Sequence, residues 1–106
     1  MNAPEALAMA AAKLKEASLI EPHNALILLS QSEIAWDLNQ RDRALGFIDS
    51  ALDKEPNFLQ AHRTRISYLS KLDPGRVSWA EDEMAKAQVR AAGYRPYSDY
   101  EEIILR

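Results

Sequence analysis

The side chains that could carry out chemistry in this chain are few and scattered. Its 106 residues include two histidines, His23 and His62, and no cysteine. A transition-metal site would need thiolates or a second histidine one helical turn away, and neither histidine has such a neighbour. We therefore predict that both histidines are structural, that His62 fills an apolar helix position, and that the chain holds no metal.

Paired carboxylates are the other possible catalytic groups. Asp49 and Asp53 are four residues apart, so they would share one face of a helix. Carboxylates at this spacing are usually a solvated surface, and the sequence indicates no pocket around them for acid–base catalysis. The chain also lacks a glycine-rich phosphate loop and a nucleophile elbow. These observations predict that the protein is not an enzyme, with no catalytic residues and no cofactor.

Charge and hydropathy limit the kinds of partner. The formal net charge is −3, and the nearest approach to a basic cluster is the two pairs Arg41/Arg43 and Arg63/Arg65. Nucleic acid binding needs clustered cations that displace counterions, so we interpret both pairs as solvated helix surface and expect no nucleic acid partner. The longest apolar run, Ala25 to Leu29, is far shorter than the ~18 residues of a membrane span. With no basic signal segment and no cysteine, the sequence predicts a soluble, cytoplasmic protein without a membrane partner.

Proline and glycine divide the chain into segments of helix length. Proline lacks the N–H that a helix interior needs, and glycine readily adopts the left-handed conformation that ends a helix. No segment alternates polar and apolar residues with period two, so we expect no sheet. The predicted helices are Ala3–Ser18, Asn24–Leu38, Asp42–Lys54, Asn57–Leu72, one from Ser78 to just before Gly93, and one from Ser98 onward.

Helix caps and apolar stripes refine this outline. Asn2/Glu5 and Ser78/Glu81 have capping-box spacing, as do Ser98 and Glu101 in the last segment. The helix predicted at Asn24–Leu38 is apolar on nearly every side. Such a helix must be covered by several neighbours, so we expect it to lie between the helices before and after it.

A 34-residue repeat relates these helices to one another. Glu21-Pro22 recurs as Glu55-Pro56, and an alanine–large–alanine pattern stands at identical spacing before each proline. The three sets of this pattern are Ala10, Leu14 and Ala17; Ala44, Ile48 and Ala51; and Ala80, Met84 and Ala87. Small residues let helices approach closely, the large residue fills the gap between them, and proline ends the unit.

This pattern resembles the second half of the tetratricopeptide repeat, A-x3-F-x2-A-x4-P, over about residues 5–92. The first half of that motif is weaker here, since Gln31 stands where leucine is usual. The resemblance implies an all-α fold of antiparallel helix–turn–helix repeats stacked in a right-handed superhelix. About two and a half repeats would form one domain over residues 1–106: a half repeat at 1–20, whole repeats at 23–56 and 57–92, and a capping tail at 93–106. A helical bundle with coincidental spacing is the alternative.

The resemblance also implies where a partner would bind. In the tetratricopeptide family the first helix of each repeat lines a concave groove that receives peptides. The expected partner-binding residues are Leu26, Leu29, Ser30, Glu33, Trp36, Asp37, Arg63 and Ser67, with Gln60, Thr64 and Lys71 beside them. Core packing is an equal alternative for Trp36. The Lys, Asn and Arg clamp of chaperone-binding members is absent, because Leu29, Glu33, Gln60 and Thr64 occupy its positions.

Three functions follow as expectations. The first is a protein–protein interaction module that binds a peptide or helix of a partner protein. The second is an assembly role through homo-oligomerisation of the N-terminal helix, whose small-residue face includes Ala6, Leu7 and Ala10. The third is a regulatory repeat domain of a larger protein. Tyr94, Tyr97 and Tyr100 lie around Pro96 and form a further candidate binding segment. The preferred expectation is that this tail packs as a cap over the last repeat helix.

Overall fold

The computed structural model describes residues 2–93, and every regular element in this range is helical. Five α-helices follow one another, and a 3-10 turn at Pro74–Arg76 joins the fourth to the fifth. They are α1, Ala3–Ile20; α2, Ala25–Asp37; α3, Arg41–Lys54; α4, Leu59–Leu72; and α5, Val77–Ala91. The all-α prediction is confirmed for residues 2–93. The helix predicted from Ser98, the capping tail beyond Gly93 and its tyrosines lie outside the described residues.

Asparagine side chains cap the first two helices. The Glu5 N–H donates to Asn2 Oδ1 at 2.9 Å, so this part of the predicted capping box is confirmed. Asn24 does the same for α2, where its Oδ1 accepts from the N–H groups of Leu26 and Ile27. Each cap pairs backbone donors that the first turn of a helix leaves free, and typically contributes about 1 kcal/mol.

The predicted capping box at Ser78 and Glu81 is wrong. Helix α5 begins one residue earlier, at Val77, and its N-cap Arg76 makes no side-chain capping bond. The cause is the 3-10 turn, whose last residues already have right-handed helical backbone angles, so the chain passes directly from the turn into the helix. Ser78 consequently lies inside the helix.

The backbone turns that follow α1 and α3 are the same turn, 34 residues apart. Glu21 N–H donates to the Ala17 carbonyl at 2.9 Å, and Glu55 N–H donates to the Ala51 carbonyl at 2.9 Å. The next bond also recurs, from Asn24 to Glu21 at 3.2 Å and from Phe58 to Glu55 at 3.1 Å. The sequence repeat therefore produces a repeat of local backbone structure at these two turns.

The alanines of the alanine–large–alanine pattern are fully buried in α3 and α5 but not in α1. Ala44, Ile48 and Ala51 of α3 have no exposed surface, and Ala80 and Ala87 of α5 are equally buried. Burying a side chain the size of isoleucine contributes about 1.5–3 kcal/mol. The corresponding residues of α1, namely Ala10, Leu14 and Ala17, are only half-buried. Within residues 2–93, α1 packs chiefly against α2 alone.

Helix α2 lies between α1 and α3, as its apolar sequence predicts. The Ser32 hydroxyl is fully buried and donates to the Ala44 carbonyl at 2.9 Å, which fastens α2 to α3. Leu26 does not take part in this packing, since 59% of its surface is exposed. Along the described chain each helix packs chiefly against its sequence neighbours, so α2 and α4 keep outward faces that no other described helix covers.

Candidate functional site

The α2 residues predicted to bind a partner include a row along one face of the helix and a residue that is buried in the core. Leu26, Ser30, Glu33 and Asp37 follow one another at three- and four-residue steps, so they share one face of the helix. Glu33 and Asp37 are exposed and Ser30 is half-buried. Leu29 is only 1% exposed and belongs to the core. Its predicted direct contact with a partner is therefore wrong, because its side chain is used in the packing of α2.

Helix α4 presents Arg63 and Ser67, which are both exposed and four residues apart on one face. Beside them the Thr64 hydroxyl donates to the Gln60 carbonyl at 2.9 Å, so it is engaged within its own helix. Within residues 2–93, no hydrogen bond or ion pair joins Arg63 or Ser67 to α2. The link between α2 and α4 therefore involves neither Arg63 nor Ser67.

Trp36 and Tyr68 provide that link. Their rings stack with centroids 4.0 Å apart and planes within 2° of parallel, which joins the C-terminal halves of α2 and α4. The Arg41 guanidinium lies 4.2 Å from the centroid of the Trp36 ring, and the Lys71 ammonium lies 5.8 Å from it. An aromatic pair of this kind contributes about 0.5–1.5 kcal/mol beyond its buried area, and an exposed cation–π contact about 0.5–1 kcal/mol.

Trp36 both packs on the core and reaches the surface. Its ring is half-buried and contacts the buried cluster that includes Leu29 and Tyr68. Tyr68 itself is 7% exposed. Burial raises the pKa of Tyr68 above its ordinary value, and the neighbouring carboxylates of Glu33 and Asp37 raise it further. The Tyr68 phenol therefore stays protonated at neutral pH and lies close to the acidic part of the α2 row.

Tyr68 is not among the residues predicted from the sequence, because it stands 32 residues after Trp36 and so falls outside the 34-residue register. The sequence feature that could have identified Tyr68 is its residue type. Tyr68 is the only aromatic residue of α4, and a tyrosine in a predicted first helix is a reasonable stacking partner for an aromatic residue in the preceding one.

A second polar cluster surrounds Arg65, and it corrects the interpretation of that residue as solvated surface. Arg65 is 6% exposed, and its guanidinium lies 4.5 Å from the centroid of the Trp79 ring. Its Nη1 forms an ion pair with Asp49 Oδ1 at 3.6 Å, while its buried Nε has no hydrogen-bond partner. Burial lowers the pKa of Arg65, against the opposing effect of Asp49. Arg65 thus joins α4 to α3 and α5.

His62 is structural, as predicted. The residue is 3% exposed, and its Nε2 lies 2.7 Å from the Pro56 carbonyl oxygen. Because a carbonyl can only accept, Nε2 carries the proton and donates. Nδ1 is then free to accept from Arg65 Nη2 at 3.4 Å. The imidazole therefore bridges the turn after α3 and the Arg65 cluster.

In the part of the chain that the structure describes, no three His, Asp or Glu side chains stand together in a way that could hold a metal ion. None of the described helices combines the length and the apolar character needed to cross a membrane.

Comparison of the chain with protein-family models, with curated proteins and with solved structures gives no match in any of the three.

Proposed function

We propose that the chain is a tetratricopeptide-like repeat module in which about two and a half helix–turn–helix units stack in a right-handed superhelix. Three observations support this architecture: the identical backbone turns at Glu21 and Glu55, the fully buried alanines of α3 and α5, and the packing of each helix against its sequence neighbours. Stacked units of this kind bury their apolar faces against one another and leave the first helices of successive repeats along one surface.

On this architecture, the module binds a peptide or helix of a partner protein along the α2–α4 face. We define this face as Leu26, Ser30, Glu33, Trp36, Asp37, Arg63 and Ser67. The observation that carries the proposal is the Trp36–Tyr68 stack, which joins the two first helices while leaving part of the indole at the surface. Aromatic anchors on a rigid base, with charged residues around them, are typical of binding hot spots.

The charges of this face favour a partner segment of mixed polarity. Glu33 and Asp37 can accept from a basic residue of the partner, and Arg63 can pair with an acidic one. Leu26, at 59% exposure, provides an apolar contact at the start of the face. We therefore expect the apolar contacts at Leu26 and Trp36 to set the affinity and the rim charges to set the orientation.

A pulldown with a paired variant tests this function. The variant Leu26→Ser/Arg63→Ala changes two exposed residues of the face, so we expect it to fold as the wild type does and to lose the partners that the wild type retains. The matched control is Leu72→Ser/Lys86→Ala, which removes an exposed leucine and a cation elsewhere on the surface. Equal retention of the same partners by wild type and both variants would contradict binding at the α2–α4 face.

An assembly function is the second candidate, and the exposure of α1 favours it. No residue of α1 is fully buried, and Leu19 and Ile20 are 76% and 82% exposed at its end. A second copy packing on α1 would remove this apolar surface from water. The expected result is a concentration-dependent dimer in sedimentation velocity that Leu7→Glu/Leu19→Glu converts to monomer. Sedimentation as a monomer at high concentration would exclude this function and leave peptide binding unaffected.

A further inference from the structure

Two grooves lie where successive repeat units meet, and five of the ten lining positions of each correspond at a shift of 34 or 36 residues. The first groove has a volume of about 450 Å³ and is lined from α1, α2 and α3; the second has about 300 Å³ and is lined from α3, α4 and α5. Lys15 and Gln31 of the first groove precede Asp49 and Arg65 of the second by 34 residues. Arg43 precedes Trp79 by 36, because the third unit is two residues longer.

In the second groove the protein's own residues supply the charge and ring contacts of Arg65, although its Nε has no hydrogen-bond partner. The buried Arg65 pairs with Asp49 on one side, contacts the Trp79 ring on another and shares His62 with the Pro56 carbonyl. A helix α3 side chain and a helix α5 side chain thus supply the acid and the aromatic surface that the buried arginine needs.

The first groove lacks these internal partners. Gln31 takes the place of Arg65, and its Oε1 is buried without a hydrogen-bond partner. A buried carbonyl oxygen that has lost water and gained no donor is destabilising, so this atom is suited to a donor from outside. In place of an acid and an aromatic ring, the groove presents two cations, Lys15 and Arg43. Within residues 2–93 neither of them forms an ion pair.

The charge of the first groove is opposite to that of the chain. The chain carries a net charge of −3, yet the residues that line this groove include Lys15 and Arg43 and no Asp or Glu. Arg43 is held in place, since its Nη1 donates to Gln40 Oε1 at 3.0 Å and its guanidinium lies 5.7 Å from the centroid of the Phe47 ring. Apolar side chains, among them Ala11, Leu38 and Phe47, form most of the remaining wall.

We propose that the first groove is a second binding site, distinct from the α2–α4 face, for an acidic peptide segment of a partner protein. The carboxylates of that segment pair with Lys15 and Arg43, its aliphatic side chains pack against Leu38 and Phe47, and one of its N–H groups donates to Gln31 Oε1. A basic segment would meet two like charges here, and a free inorganic anion would leave the apolar wall uncovered.

The two sites use different residues of α2 and lie on different sides of that helix. Gln31, Ile34 and Leu38 recur at three- and four-residue steps and therefore share one side of the helix. Leu26, Ser30 and Asp37 are centred about a quarter of a turn away around the axis. The proposal for the groove therefore does not depend on the proposal for the α2–α4 face.

The test uses a phage-displayed library of random 12-residue peptides, selected on the full chain, with synthetic copies of the selected peptides titrated by fluorescence anisotropy. We expect selected peptides that are rich in Asp and Glu and contain aliphatic residues. Their affinity should fall by about tenfold or more in Lys15→Glu/Arg43→Glu. It should change less than about twofold in the control Lys13→Glu/Lys54→Glu, which alters the net charge equally on exposed residues outside the groove, and in Leu26→Ser/Arg63→Ala.

Several outcomes would overturn the proposal. One is that no selected peptide loses affinity in Lys15→Glu/Arg43→Glu. Another is that the peptides that do lose affinity contain no excess of acidic residues. Equal weakening by the control variant would show that only overall charge matters. Full displacement of the peptides by millimolar inorganic phosphate would identify a small-anion site instead. Thermal melts of all variants confirm that each is folded before titration.

Discussion

The Trp36–Tyr68 stack joins α2 to α4, so a double-mutant cycle across it tests whether these two helices are coupled as the structure requires. Trp36→Leu removes the stack together with the contacts of the indole with Arg41 and Lys71. Adding about 0.5–1.5 kcal/mol for the ring pair to about 0.5 kcal/mol for each exposed cation gives an expected loss of about 1.5–2.5 kcal/mol. Tyr68→Leu removes the stack and leaves the Arg41 and Lys71 contacts of Trp36 in place, so it should lower the free energy of unfolding by about 0.5–1.5 kcal/mol.

The coupling energy is the informative quantity in this cycle. We expect the double variant to be less destabilised than the sum of the single variants by about 0.5–1.5 kcal/mol, because each single change already removes the shared contact. The assay is guanidinium denaturation followed by far-ultraviolet circular dichroism, with two-state behaviour checked by thermal melting. Additivity within about 0.3 kcal/mol would refute the reasoning, since it would mean that the two rings do not interact in solution.

Three further stability predictions follow from burial. Ala51→Leu should lower the free energy of unfolding by about 1–3 kcal/mol, because Ala51 has no exposed surface, whereas Ala85→Leu on the exposed face of α5 should change it by less than about 0.5 kcal/mol; equal melting temperatures would refute the close helix contact. Gln31→Leu should raise the free energy of unfolding by roughly 1 kcal/mol, because it removes a buried acceptor without a partner; a lower melting temperature would contradict this. Arg65→Ala should lower the free energy of unfolding by more than about 2 kcal/mol, because Arg65 is buried. Asp49→Ala should lower it by about 1 kcal/mol or less, because the Asp49 side chain is 55% exposed. A larger loss for Asp49→Ala than for Arg65→Ala in urea denaturation would refute the assigned roles.

The sequence predicted the helices well because the signals that start and end them are local. Asn2 and Asn24 cap helices within three residues of themselves, and proline follows the ends of α1 and α3. The repeat predicted the burial of Ala44 and Ala51 for a similar reason, since it reports the spacing at which helices touch. The error at Ser78 arose where a 3-10 turn replaced a side-chain cap, and capping-box spacing carries no information about that choice.

The candidate site was less predictable because it depends on which side of a helix faces a neighbour. Leu29 and Leu26 are both apolar and only three residues apart, yet one is 1% and the other 59% exposed. The rotation of α2 about its own axis, relative to α1 and α3, decides which of the two leucines is buried. Helix α2 is too uniformly apolar for its sequence to determine that rotation.

Arg65 was misread for a related reason. An arginine two residues from another arginine normally indicates a solvent-exposed surface. Its burial depends on three partners brought from other elements, namely Asp49, the Trp79 ring and His62, and only the last of these is near it in sequence. Contacts between distant residues of this kind have no local signature.

Site-specific photo-crosslinking tests the central claim, which is that a partner segment lies along the α2–α4 face. A photoreactive phenylalanine analogue replaces the exposed Leu26 in one variant and the exposed Lys86 on α5 in a second. The account predicts that the Leu26 variant forms covalent adducts with a recurrent partner segment, that Trp36→Ala abolishes those adducts, and that the Lys86 variant forms none of them. Adducts from Lys86 but not from Leu26, or adducts from Leu26 that persist without Trp36, would contradict it.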